Sequence, residues 1–259
     1  MAVAVEGGSL VPLAGISELG PGHDATSLSA ADRLPAAAFP AAEAVFRPVV
    51  PHPGKIICVG LNYRAHATET QRDPPDHPVL FTKFATTLTG PFDDVPCPAE
   101  SEAVDYEGEL AVVIGRRCRR IAEADALSAV LGYTIANDVT MRDWQDRSPQ
   151  WLQGKAWDAT TPLGPHLVTP DEFGDPQDKA LRTTVDGRTV QEASTAQMIF
   201  PVAALISAIS AFTTLEPGDL ILTGTPAGVG VSREPPLLLG HGETVTVEIE
   251  GIGRIESRF

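Results

Sequence analysis

The chain has 259 residues, enough to bury a large core as one main domain with at most a small appendage. Its composition, 43% hydrophobic and 20% charged with 23 glycines and 23 prolines, is that of a globular protein built on turns and strands rather than long helices. The net charge of −15, with no basic run longer than the pairs Arg116-Arg117 and Arg119-Arg120, argues against nucleic acid or an anionic membrane as partner; an acidic ligand must find its positive charge inside its own site.

Residues 2–13 read as a hairpin about Gly7-Gly8, and 17–50, rich in Ala, Pro, Ser and Gly, as a connector with no chemistry. From Lys55 the pattern changes. Ile56-Ile57-Cys58-Val59, ended by Gly60, is a buried strand, and Tyr63 to Gln71 favours a helix. Asp73-Pro74-Pro75-Asp76-His77-Pro78 then forces an extended polar loop suited to a mobile cover. Strands are expected over 79–84 and 107–114, then a helix over 122–130 and a strand over 131–137. Asp186-Gly187 turns a hairpin between 181–185 and 188–191. Pro201 opens an amphipathic helix of about 14 residues whose Val202, Leu205, Ile206, Ile209 and Phe212 face the core. Glu216 to Asp219 turns into a strand over 220–223, and 243–250 alternates as a half-buried strand.

Cys58, Cys97 and Cys118 are odd in number and lack a C-x-x-C pair, so reduced thiols are expected rather than a disulfide framework or a zinc knuckle. The N-terminus has no basic residue ahead of its short apolar stretch, and the most apolar segment, 199–209, is well short of the roughly 20 residues of a membrane span. A cytoplasmic location is expected.

The chemistry is carried by carboxylates. Glu107 and Glu109 are two apart on a strand and leave the same face. Such a pair is ordinarily solvated, but this strand runs straight into Leu110-Ala111-Val112-Val113-Ile114, an interior where two unpaired carboxylates are costly and a cation removes the cost. Asp138 ends the next apolar strand, which a strand–helix–strand connection can return to the pair. Three oxygen ligands without Cys or His suit a hard ion, Mg²⁺ or Mn²⁺, with positions left open for water and substrate oxygens.

His66 and Glu69, three apart in a helix-prone stretch, share a face and can hydrogen-bond, although an isolated pair of this kind ordinarily lies on the surface. By composition alone Arg142 and Lys155 are surface charges too. The glycine-rich stretch 223–230 lacks the Gly-Lys-Ser/Thr ending of a phosphate loop, and Pro226 removes a backbone donor.

These residues stand in a longer ordered series. It comprises Gly60-Leu61-Asn62-Tyr63 with His66 and Glu69, Asp105 to Gly115, Asn137-Asp138 with Arg142-Asp143, Gly154-Lys155, Pro162 to Pro165, Met198-Ile199-Phe200, and Pro217 to Pro226. Over residues 55–255 the chain resembles the fumarylacetoacetate hydrolase family. The resemblance implies an α+β fold, a mixed β-roll with short helices, with the N-terminal β appendage over 1–50 ahead of a catalytic domain over 51–259. A homodimer is expected from it as well.

It also implies roles. Glu107, Glu109 and Asp138 hold Mg²⁺ or Mn²⁺; Glu69 orients His66 to take a proton from water; Lys155 is a point charge beside a developing enolate. Arg142 and Gln145 line the site and bind the substrate carboxylate, Gly224 lets the substrate approach closely, and Thr225 donates a hydroxyl hydrogen bond to it. The implied activity is metal-dependent C–C bond hydrolysis of an acylpyruvate or a fumarylacetoacetate-like diketo acid. Decarboxylation of an oxaloacetate-like acid or isomerisation of a hydroxydienedioate uses the same site, and a binding protein with a structural cation is a reading from another class. Gly108, Met141 and Phe84 depart from the family's pattern, and Met141 with the nearby Trp144 leaves the substrate open.

Overall fold

A computed structural model describes residues 1–20 and 23–259. At the N-terminus β1 (Val3–Glu6) pairs with β2 (Ser9–Pro12) across Gly7 and Gly8, both at positive φ, and β3 (Phe39–Pro40) adds to β2. Between them lies helix α1 (Ala25–Ala30), started by an Asp24 capping box. The connector does more than connect: Leu19, Leu28 and Val49 pack against one face of the body.

The body continues with β4 (Ile56–Gly60), α2 (Arg64–Glu69), β5 (Val79–Lys83), β6 (Leu88–Thr89), β7 (Val104–Asp105), β8 (Gly108–Ile114), β9 (Val130–Asn137) and β10 (Thr140–Met141). Then come α3 (Arg142–Gln145), α4 (Leu152–Lys155), β11 (Thr161–Val168), α5 (Pro170–Phe173), β12 (Ala180–Val185) and β13 (Arg188–Ser194). Helix α6 (Val202–Phe212), β14 (Leu220–Leu222), β15 (Thr244–Ile249) and β16 (Gly253–Arg258) complete it. Seven strands form a mixed sheet in the order β5-β4-β14-β8-β9-β11-β6, and an antiparallel sheet ordered β13-β12-β15-β16 packs over β8, β9 and β11. The fold is an α+β mixed β-roll.

The apolar run of β8 follows from its place at the centre of the larger sheet. Leu110, Val112 and Ile114 enter a core shared with the smaller sheet and α6, whereas Ala111 and Val113 enter a second core on the opposite face. Both faces are buried, so every residue of the strand is apolar until its N-terminal end, where the carboxylates stand.

Several elements differ from the sequence reading. The 122–130 segment is a 3-10 helix over Glu123–Ala129 rather than an α-helix. Helix α6 has 11 residues, and Phe212 at its end is 63% exposed, because the chain turns away and Leu215, fully buried, takes the next core position. Strand β11 was hidden by Pro162, Gly164 and Pro165, residues that signal a turn; its ladder to β9 is irregular between Gly164 and Val168. Strand β16 alternates Ile255 and Ser257 inward with Arg254, Glu256 and Arg258 outward, a polar pattern that no apolar run announces. Among the described residues no helix is long and apolar enough to cross a membrane.

Candidate metal centre

Strands β8 and β9 are antiparallel neighbours with Gly108 opposite Asn137 and Glu109 opposite Ala136. Glu107 and Asp138 therefore stand across from each other just past the end of the ladder. The register is locked there by Asp138 N–H donating to the Glu107 carbonyl at 2.8 Å and Glu107 N–H donating to Asn137 Oδ1 at 2.9 Å. This side-chain bond replaces a backbone one, which is why β8 begins at Gly108 rather than at the expected Glu107. One carboxylate oxygen from each of Glu107, Glu109 and Asp138 lies within 4.8 Å of the others, and all three residues are buried.

Buried carboxylates at that spacing repel unless cations intervene. Lys155 Nζ donates to Glu107 Oε2 at 2.6 Å and to Asp138 Oδ2 at 2.7 Å; Lys83 Nζ donates to Asp138 Oδ1 at 2.7 Å. Arg142 Nη2 is 2.7 Å from Glu107 Oε1, a charge contact that is not aligned as a hydrogen bond. Burial pushes the Glu107 carboxyl up, but Lys155 and Arg142 outweigh it and hold it down at about 2. Burial opposes charge on Lys155 as well, yet Asp138 and Glu107 raise it above the ordinary lysine value.

Glu109 is different. It accepts only the Gly224 N–H, at 2.8 Å, and has no Lys or Arg partner among the described residues; burial, Asp138 and Glu107 together push its carboxyl well above the ordinary range. An acid left without a cation beside two others is the observation that fits a divalent ion to this trio, and a carboxylate has lone pairs for a metal as well as for a lysine.

Lys83 was absent from the sequence-based site. It ends a strand, two residues after Phe81 on the same face, and its burial follows from a distant partner, Asp138, that no local pattern announces. Asp105 is a second omission. Its Oδ1 accepts the N–H groups of Tyr106 and Gly230, and its Oδ2 accepts Arg142 Nε–H and the Val231 N–H, at 2.8 to 3.0 Å. With its lone pairs filled, Asp105 holds Arg142 and the 230–231 turn in place rather than binding an ion.

The departure at Gly108 has a steric cause: a Cβ there would lie 2.3 Å from Thr183 Oγ1 and 2.8 Å from Val247 Cγ1, so only glycine lets the smaller sheet close over the two glutamates. Its N–H donates to Gln191 Oε1 at 3.0 Å, and Gln191 Nε2 donates to Thr225 Oγ1 and the Pro226 carbonyl.

The residues that the resemblance assigns to substrate contact also make bonds within the protein. The Thr225 hydroxyl donates to the Gly108 carbonyl at 3.0 Å, so it lines the cavity with its proton already engaged. At Gly224 a Cβ would stand 2.8 and 2.9 Å from Asn62 Cβ and the Val59 carbonyl, so a side chain has no room there, and the Gly224 N–H holds Glu109. Arg142 donates through Nε to Asp105 and through Nη1 to Gln145 Oε1 at 3.0 Å, leaving Nη2 alone without a hydrogen-bond partner. It is a buried linchpin, not a surface charge with a free two-pronged grip. Arg147, by contrast, is exposed.

Glu107, Arg142, Gln145, Lys155 and His66 all face one cavity of about 210 Å³. His66 Nδ1 is 2.9 Å from Glu69 Oε1. The Glu69 carboxylate also accepts the Gly228 N–H at 3.1 and 2.9 Å, so α2 is docked onto the 226–231 turn. The Gly228 carbonyl in turn accepts Tyr106 Oη–H at 3.0 Å and Arg233 Nε–H at 3.2 Å.

Comparison with known proteins fits this geometry. The family model for the fumarylacetoacetate hydrolase C-terminal region matches residues 55–259. A mitochondrial oxaloacetate tautomerase of Bos taurus is 47% identical over 219 residues, 84% of this chain and 70% of the relative. Among solved structures, a 2-hydroxyhepta-2,4-diene-1,7-dioate isomerase of Mycobacterium marinum is 38% identical with a TM-score of 0.81, covering 96% of this chain and 86% of that one. A fumarylpyruvate hydrolase of Pseudomonas aeruginosa, solved with Mn²⁺ and pyruvate, is 34% identical with a TM-score of 0.73, covering 79% and 88%.

Proposed function

The chain belongs to the fumarylacetoacetate hydrolase family, and we propose that it is a divalent-metal-dependent enzyme that moves a proton between the keto and enol forms of a 2-oxo acid of the oxaloacetate kind. The observation that carries this reading is the buried trio of Glu107, Glu109 and Asp138, one member uncompensated, whose Glu107 lines a cavity together with His66 and Lys155. When bound there, Mg²⁺ or Mn²⁺ would supply a Lewis acid for the oxo and carboxylate oxygens. The chain's own groups do the rest. His66, its Nδ1 held by Glu69, takes the proton from the carbon beside the oxo group through Nε2 and, once the double bond has shifted to carbon, delivers it to the former oxo oxygen, which becomes the enol hydroxyl; the reverse transfer restores the keto form. Lys155, held charged by two carboxylates, keeps its proton and serves as a fixed positive charge near the oxygen on which negative charge develops. Gln145 Nε2, whose partner oxygen is tied to Arg142, is left to donate to the acid.

A second reading is favoured by the resemblance to the fumarylpyruvate hydrolase. In it His66 draws the proton from water instead, and the attack cleaves a C–C bond of an acylpyruvate. Decarboxylation would use the same site. The proposal includes a homodimer in the cytoplasm, tested by sedimentation velocity and cell fractionation.

The deciding experiment follows enol–keto exchange of oxaloacetate, and cleavage of an acylpyruvate, by ultraviolet absorbance with Mg²⁺, Mn²⁺ or chelator. Metal-dependent exchange is expected, with His66→Ala slower by about 10²–10⁴-fold. A metal-loaded wild type that accelerates neither reaction refutes the proposal, and acylpyruvate cleavage without exchange selects the second reading.

A further inference from the structure

Beneath the cavity four buried acids, Asp105, Glu107, Glu109 and Asp138, face three buried cations, Lys83, Arg142 and Lys155. With a divalent ion held by the ionised acids the set carries one net positive charge, which balances a single carboxylate. A ligand with a second carboxylate needs a further cation, all the more in a protein of net charge −15.

Three cationic side chains of the arginine and lysine type line the cavity: Arg72, Arg142 and Lys155. The last two are neutralised by the ion pairs already described. Arg72 is exposed, takes part in no ion pair and donates no side-chain hydrogen bond among the described residues. Asp146, also at the cavity, is not within ion-pair distance of it.

Arg72 is nonetheless held in place. Its N–H donates to the Ala67 carbonyl at 2.9 Å, and its guanidinium lies 5.5 Å from the Trp151 ring centre. The Trp151 ring is 5.5 Å from Phe81, edge to face, and Phe81 is 5.1 Å from Lys155 Nζ. Gly60 makes room for the indole, since a Cβ there would fall 2.2 Å from Trp151 Cζ3. An aromatic wall thus runs from the carboxylate centre to one unspent guanidinium.

We propose that Arg72 binds the far carboxylate of a dicarboxylic 2-oxo acid whose middle lies along Phe81 and Trp151, making Arg72 a specificity-determining residue. The proposal rests on the 2-oxo acid reading above and deepens it. A guanidinium is the side chain best shaped for a carboxylate, and stacking on an indole leaves its N–H edge free to form those bonds.

Calorimetry on the Mg²⁺-loaded protein tests it without turnover, using pyruvate as the one-carboxylate probe and 2-oxoglutarate and 2-oxoadipate as two-carboxylate probes. Wild type is expected to prefer the better-fitting dioate over pyruvate by about tenfold or more. Arg72→Met, which keeps a long side chain on Trp151, removes that preference and leaves pyruvate affinity within about twofold. Pyruvate bound by wild type with no dioate preference, or a preference that survives Arg72→Met, overturns this inference alone. Binding of none of the three probes, with Mg²⁺ or Mn²⁺, overturns it together with the functional reading.

Discussion

Glu107 and Glu109 are two residues apart, yet replacing each by Gln is expected to move the stability of the metal-free protein in opposite directions. Glu109→Gln keeps the side-chain shape and an oxygen for the Gly224 N–H, and removes a buried charge that no lysine or arginine offsets. Burial, Asp138 and Glu107 push its carboxyl well above the ordinary 4.5, so the folded metal-free chain binds this proton more tightly than the unfolded chain does. The wild-type penalty is absent below about pH 4.5, where the group is protonated in both states, and grows as pH rises above it. For a chain of this size about 2–4 °C per kcal/mol applies, so Glu109→Gln melts higher than wild type at pH 7 by that amount for each kcal/mol of penalty relieved, with the gain fading toward pH 4.5. Glu107→Gln strips Lys155 and Arg142 of a shared partner and costs about 3–5 kcal/mol. Scanning calorimetry in chelator at pH 5 and 7 reads both signs. Repeating it with excess Mn²⁺ should raise the wild-type melting temperature and leave Glu109→Gln unmoved. A Glu109→Gln protein that melts no higher than wild type in chelator at pH 7, or that keeps the full Mn²⁺ shift, would refute the reasoning.

Gly108→Ala should cost about 1–3 kcal/mol by overpacking, and Thr183→Ala in the same chain should recover part of it, a coupling that denaturant melts of the double-mutant cycle will measure. Arg233→Met takes away one of the two donors to the Gly228 carbonyl and loosens the seat of Glu69; amide exchange over 64–70 should quicken while Mn²⁺ affinity stays within about twofold of wild type, and unchanged exchange would count against that coupling. Cys58 is fully buried and its thiol is pushed well up by burial and by Asp138, so a thiol reagent should leave it unlabelled until the protein unfolds.

The carboxylate trio was legible because its cause is local: two glutamates on one strand face leading into an apolar run, and an aspartate ending the next strand. The hairpin at Asp186-Gly187 was legible for the same reason, both residues adopting the positive φ that a tight turn demands. What the sequence did not disclose depends on distant partners. Nothing near Lys83 announces that Asp138 waits beside it, and nothing near Arg142 announces that Asp105 and Glu107 will bury it. The family resemblance placed Arg142 and Lys155 in the site, but only coordinates show which of their donors are already engaged. Strand β11 shows the opposite failure, in which strong local turn signals at Pro162 and Gly164 are overruled by pairing with β9 and β6.

The groups of the carboxylate centre sit on sheet ends or against them and are bonded to one another, so altering any one disturbs several. Arg72 and Trp151 belong to intervening loops and short turns that make none of the bonds within that mesh. Selection acting on this scaffold can therefore retune the outer half of the chamber while inheriting the inner half intact. That division of labour offers a physical reason why one architecture accommodates a tautomerase, an isomerase and a hydrolase: the step of polarising an acid is built into the frame, and what the frame is applied to is decided at its rim.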